Sequence, residues 1–182
     1  TSDPDLLGRL FALGITSITY MDDLLAEEIA GDSFELESLM RSVDSDRLAM
    51  IMFTSGTSSF PKGVQLSHYN LMSQPKALEI LWKPEPGMRF LCYLPWHHSF
   101  GGLFERFFAL HSGGCLAIDD SGGKDANRLL QNFSEIKPNV YFSVPKVYQE
   151  IVTKILAAPA LADSFFHDGL KFVFTAAAPL PA

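Results

Sequence analysis

The chain is most constrained by its alternation of short apolar runs with stretches of helical periodicity. The apolar runs fall at residues 48–54, 89–94, 115–118, 140–144 and 170–175. They are too short for buried helices and have the length of strands. Between them lie amphipathic patterns. Residues 70–81 follow Ser67, a candidate N-cap. Residues 102–111 place Leu103, Phe104, Phe107, Phe108 and His111 on one side. Residues 125–136 carry Leu129, Leu130, Phe133 and Ile136, and residues 146–156 carry Val147, Ile151, Val152 and Ile155. Continuous apolar strands alternating with such helices predict an α/β domain, a mostly parallel sheet of about five strands with helices on both faces. Ligands of an open parallel sheet bind beyond the carboxyl ends of its strands.

One of those ends is chemically pointed. The run Leu48-Ala49-Met50-Ile51-Met52-Phe53 leads straight into Thr54-Ser55-Gly56-Thr57-Ser58-Ser59-Phe60-Pro61-Lys62-Gly63-Val64. Gly56 removes a side chain so that backbone N–H groups can close on an anion. Thr54, Ser55, Thr57, Ser58 and Ser59 offer hydroxyl donors, Pro61 stiffens the exit and Lys62 adds a cation. The loop suits a polyphosphate; the alternative is an ordinary Ser/Thr/Gly turn between strands. It is not a G-x-x-x-x-G-K-[ST] loop, because Pro61 stands where the second glycine would be, and no G-x-G-x-x-G occurs.

The remaining features narrow the class. A formal charge of −7 argues against nucleic acid or an anionic membrane as partner. No apolar run approaches the ~20 residues of a transmembrane segment, and no signal peptide is visible. Cys92 and Cys115 sit in apolar runs without metal-ligand spacing and read as buried, reduced cysteines of a cytoplasmic protein. A short helix is expected over 6–13, a strand over 15–20 and a second helix over 22–30. Residues 31–46 read as a polar connecting segment; Asp44 and Asp46 within it, with Glu27 and Glu28 just before it, form a solvated face. Residues 1–47 are thus an N-terminal connecting segment, and 48–182 an α/β subdomain. Thr1 is not a methionine and Ala182 closely follows a motif, so the chain reads as a piece of a longer protein.

Three segments carry a family resemblance, in order. Thr54, Ser55, Gly56, Thr57, Pro61, Lys62 and Gly63 match the Thr-Ser-Gly-[Ser/Thr]-Thr-Gly-x-Pro-Lys-Gly signature of the acyl-adenylate-forming enzymes, with Ser58 and Ser59 departing from it. Tyr93-Leu94-Pro95-Trp96-His97-His98-Ser99-Phe100-Gly101 resembles Leu-Pro-x-x-His-x-x-Gly, with His98 at the His position. Phe174-Thr175-Ala176-Ala177-Ala178-Pro179-Leu180 resembles Ser-Gly-Gly-Ala-Pro-Leu, with Ala176 and Ala177 replacing the glycines. Val144-Pro145-Lys146-Val147-Tyr148 also resembles a segment of long-chain acyl-CoA synthetases, and Tyr141-Phe142-Ser143-Val144-Pro145-Lys146 one of feruloyl-CoA synthase-like proteins.

The resemblance implies an acid–thiol ligase that uses ATP and Mg²⁺ to turn a long-chain fatty or aryl acid into an acyl-adenylate, then passes it to coenzyme A. Thr54, Ser55, Gly56, Thr57, Ser58 and Lys62 would hold the β- and γ-phosphates, with Thr57 a candidate Mg²⁺ ligand. Ala177, Ala178 and Pro179 would pack on adenine. His98 would border acyl group and adenylate, and Ser143 and Val144 would line the acyl pocket; Lys62 and His98 are the candidate catalytic residues. For His98 the alternative is a histidine packed beside Trp96 and Phe100, and for Phe104 and Phe108 core packing is favoured over a tunnel wall. A non-catalytic nucleotide- or acyl-binding member and a peptide-synthetase adenylation domain are the competing readings. The family's small C-terminal domain is not expected within these residues, so the chain alone is expected to be inactive, with apolar surface left for self-association.

Overall fold

The structure, a computed structural model, describes residues 8–9, 11–14, 33–54, 60–176 and 178–179. The chain divides into two compact units, residues 1–43 and 44–182. In the first, residues 8–9 and 11–12 are helical, within the expected helix. The strand expected over 15–20 and the helix over 22–30, with Glu27 and Glu28, lie outside the described residues. The polar connecting segment is corrected by helix α1, Ser33–Ser42. Arg41 donates to Glu37 one turn back at 2.6 Å, and the Ser42 hydroxyl donates to the Leu39 carbonyl at 2.8 Å. These are local helical contacts that apolar periodicity does not reveal. Asp44 and Asp46 are exposed, as expected of a solvated face.

The second unit holds a hairpin and a parallel sheet. Strands β1 (Leu48–Thr54) and β2 (Lys62–Ser67) pair antiparallel, Thr54 opposite Lys62. The sheet comprises β3 (Arg89–Cys92), β4 (Cys115–Ile118), β5 (Val140–Ser143) and β6 (Phe172–Thr175), in the order β4-β3-β5-β6. All of its pairs are parallel. The mostly parallel α/β reading therefore holds, but with four strands in the sheet. Residues 48–54 pair instead with residues 62–67; about seven residues join the two, fewer than the dozen or so a parallel crossover needs, so the pair is antiparallel.

Helices cover both faces because every strand is apolar on both sides. Phe90, Cys92, Val140, Phe142, Phe172 and Phe174 face helix α2 (His68–Trp82), the π-helical segment Phe100–Glu105 and helix α3 (Arg106–His111). Trp82 is the hub, with ring centroids 5.4 Å from Phe108, 4.9 Å from Phe172 and 5.6 Å from Phe174. Leu91 and Tyr141 face the other way, against α4 (Ala126–Ile136), α5 (Pro145–Ala157) and α6 (Ala162–Phe165). Burying a ring such as Phe142, at 0% exposure, contributes roughly 1.5–3 kcal/mol.

The helix ends follow the sequence. Ser67 caps α2 through a reciprocal bond with Asn70, and Asp125 caps α4 by accepting from the Asn127 and Arg128 amides. Pro145 opens α5, where its missing N–H costs nothing. Three expectations fail locally. Residues 102–111 do not form one α-helix; the turn begins at Phe100 and is π-helical up to Glu105. Cys115 is exposed, because β4 is an edge strand, while Cys92 on inner β3 is buried; both thiols are free. Val152 is likewise half exposed on α5 rather than part of its buried stripe.

Candidate active site at the carboxyl edge of the sheet

The two connections leaving the central strands run to opposite faces. β3 continues into the π-helical segment and α3 on one face, while β5 continues into α5 on the other. β3 and β5 are neighbours, so their carboxyl ends mark the topological switch point of the sheet.

His98 is placed there by the turn that follows β3. Its backbone N–H donates to the Pro95 carbonyl at 3.0 Å, and its own carbonyl accepts from Gly102 at 2.8 Å. The Phe100 amide donates to His98 Nδ1 at 3.3 Å, which leaves the proton of a neutral ring on Nε2. Gly101 and Gly102 make this turn possible. A Cβ on Gly101 would lie 2.7 Å from the Leu94 carbonyl oxygen, and one on Gly102 would overlap the Trp96 carbonyl.

His98 borders a groove of about 500 Å³, walled by Phe100, Leu103 and Phe104 of the π-helical segment, Leu66, Leu71 and Gln74 near and within α2, and Phe174 and Ala176 at the end of β6. Phe104 and Phe174 stack with centroids 5.0 Å apart, so the wall is aromatic. Among the described residues no Lys, Arg, Asp or Glu lines it. A cavity of this kind accepts an apolar body with a polar end held at His98. Phe104 therefore serves as core and wall together, whereas Phe108 is core alone, fully buried.

The other site residues lie as follows. Lys62 is exposed at the start of β2, and the Thr54 hydroxyl donates to its carbonyl at 3.5 Å. Ser55, Gly56, Thr57 and Ser58 lie outside the described residues, as does Ala177. Ala178 and Pro179 are exposed just past β6. Ser143 and Val144 do not line the groove. Ser143 is fully buried, its hydroxyl 2.7 Å from the Tyr93 hydroxyl, which also accepts from the Val144 amide at 3.4 Å. Burial pushes the Tyr93 phenol above its ordinary pKa, so it stays neutral and hydrogen-bonds rather than titrates. Tyr93 and Phe174 open two of the motif segments, but their roles here, like that of Gln74, come from tertiary packing. Among the described residues no group of His, Cys, Asp and Glu is arranged to hold a metal ion.

A family model described as AMP-binding enzyme matches residues 4–182. The long-chain-fatty-acid–CoA ligase heimdall of Drosophila melanogaster is 33% identical over 144 residues, covering 76% of this chain and 21% of its own. Long-chain-fatty-acid–CoA ligase 5 of Rattus norvegicus is 29% identical over 157 residues, covering 84% of this chain and 22% of its own. The chain thus spans about a fifth of the length of these relatives. Among solved structures, ATP-bound MatB from Rhodopseudomonas palustris superposes with a TM-score of 0.62 at 28% identity, over 76% of this chain and 26% of that one.

Proposed function

The chain belongs to the AMP-binding enzyme family, and from that premise we propose that it serves the ATP-dependent ligation of a fatty or aryl carboxylic acid to coenzyme A. A carboxylate oxygen attacks the α-phosphorus, the bond to the bridging oxygen breaks and pyrophosphate leaves. The thiol then attacks the acyl carbon, and AMP departs with the bonding pair. The observation that carries this reading is the uncharged, aromatic-walled groove ending at His98. An alkyl or aryl tail is stabilised there by leaving water, roughly 25 cal/mol per Å² of apolar surface. A second carboxylate on the substrate would find no cation along the described wall.

In this reading Thr54, Ser55, Gly56, Thr57, Ser58 and Lys62 cradle the β- and γ-phosphates, and Ala177, Ala178 and Pro179 pack on the adenine. Thr57 would be the protein ligand of a Mg²⁺ ion, which would supply positive charge against the phosphate oxygens. His98 Nε2–H donates to the acyl oxygen or its phosphate neighbour, and Lys62 compensates charge on the departing pyrophosphate. The unpaired thiols of Cys92 and Cys115 favour a cytoplasmic setting. No described helix is long and apolar enough to cross a membrane. Exposed Phe53, Phe60 and Leu156 favour self-association of the chain by itself.

Carboxylate-dependent ATP–pyrophosphate exchange tests the reading. The full-length protein is expected to exchange label with fatty or aryl acids, and His98→Ala to change acid selectivity or adenylation rate more than ATP affinity. Absence of exchange with every such acid, in a folded protein that binds ATP, would overturn it in favour of a non-catalytic binding member.

A further inference from the structure

Two acids are buried among the described residues; Asp119 is bonded by Ser121 and Asn132, and Glu105 is the one without such partners. It is 1% exposed, and neither carboxyl oxygen meets a hydrogen-bond partner. An ionised carboxylate in such a place is costly, whereas the neutral acid is tolerated. The Cys92 thiol of β3 lies against it, a weak donor at most. The Tyr93 phenol after β3 and the Tyr148 phenol of α5 are near enough to feel its charge, and both are neutral. No cation faces it. Arg106, next in sequence, holds its guanidinium 5.1 Å over the Trp96 ring and 5.0 Å over Phe107. The charged groups of α2 and α3 serve one another, Lys76 and His111 both bonding Glu79 at 2.8 Å.

The position of Glu105 gives this acid a consequence. It closes the π-helical segment Phe100–Glu105, which supplies Phe100, Leu103 and Phe104 to the groove and whose first amide holds the His98 ring. The close approach at Gly101 and Gly102 leaves that segment little freedom to shift in part. We propose that Glu105 is a positioning residue: as a neutral acid it seats the π-helical segment, and its ionisation unseats the groove wall and releases the His98 ring. The groove therefore loses its ligand as the proton leaves. This rests on the reading that the groove holds the tail of the acid substrate. Burial raises the Glu105 carboxyl to about 8, so the change falls just above neutrality.

Two measurements on the chain decide it. The first is amide protection of residues 100–105, corrected for intrinsic exchange, as a function of pH. Protection is expected to fall as pH rises from the ordinary carboxylate range to about 8 in the wild type, levelling off above it, and to hold in Glu105→Gln. The second is lauric acid binding, whose own carboxyl is ionised throughout. Affinity is expected to fall by up to about tenfold per pH unit above that point, one proton being involved, and to stay level in Glu105→Gln. Glu105→Met fills the same volume without a titratable group and serves if the glutamine variant misfolds. Protection with the same pH profile in wild type and variant overturns the proposal. Flat protection in both does so too. If lauric acid binds neither protein while protection still separates them, the acid-binding reading fails and the positioning role of Glu105 stands.

Discussion

The hairpin and the parallel sheet present opposite kinds of order. In β1 and β2 the apolar side chains Ile51, Phe53 and Val64 are 48%, 71% and 43% exposed. In β3 and β5 the side chains of Phe90, Leu91, Val140, Tyr141 and Phe142 are at most 1% exposed. Yet the hairpin carries the most specific sequence signature, and the sheet supplies the groove with no signature of its own apart from the short segments at its strand ends. Motif strength and packing strength are thus separate properties. A loop that must close on phosphate is selected for backbone freedom and donors. A wall that must exclude water is selected for volume and shape, which many apolar sequences satisfy.

That contrast can be broken by experiment. The largest expected difference is between Phe142→Ala and Phe53→Ala. The first should destabilise by about 3–5 kcal/mol in urea unfolding, the second by no more than about 0.5 kcal/mol; equal losses would abolish the distinction. Next comes pH. The folded Glu105 pKa lies above its unfolded value, so its contribution is fully present below the ordinary carboxylate range and is lost as pH rises through about 8. Unfolding midpoints should therefore fall over that window, by at most about 1.4 kcal/mol per pH unit, and the fall should vanish in Glu105→Gln. Lys62→Ala, on the hairpin, should do the reverse of a core change. ATP use in the full-length enzyme should weaken by about 1.5–3 kcal/mol, the worth of a charge-assisted bond, with the melting temperature unmoved. Gly101→Ala should cost about 1–3 kcal/mol of stability through overpacking against Leu94. The smallest effect is Tyr93→Phe, which leaves the buried Ser143 hydroxyl without its partner, about 1 kcal/mol by thermal unfolding.

The sequence disclosed the parts set by local chemistry. The Ser67 and Asp125 caps, the Pro145 start and the alternating strands follow from neighbours a few residues away. What stayed hidden depends on sequence-distant contacts. The exclusion of residues 48–54 from the sheet hangs on pairing with β2. The exposure of Cys115 hangs on strand order, which periodicity does not encode. Ser143 reads as a pocket residue by family resemblance, and its bond to the hydroxyl of Tyr93, fifty residues earlier, is a contact that no local pattern encodes. His98, Phe174 and Ala176 line the groove from motif segments, while Gln74, in no motif, joins it only through packing.

The chain has two tryptophans, and they sit in unlike optical surroundings. Trp82 lies among five phenylalanine rings directly behind the groove. Trp96 stands 46% exposed in the turn before His98, under the Arg106 guanidinium. The first should emit toward the blue and resist aqueous quenchers; the second should emit toward the red and be quenched readily by iodide. With Trp96→Phe these 182 residues become a single-emitter instrument for their own apolar face, needing no attached dye.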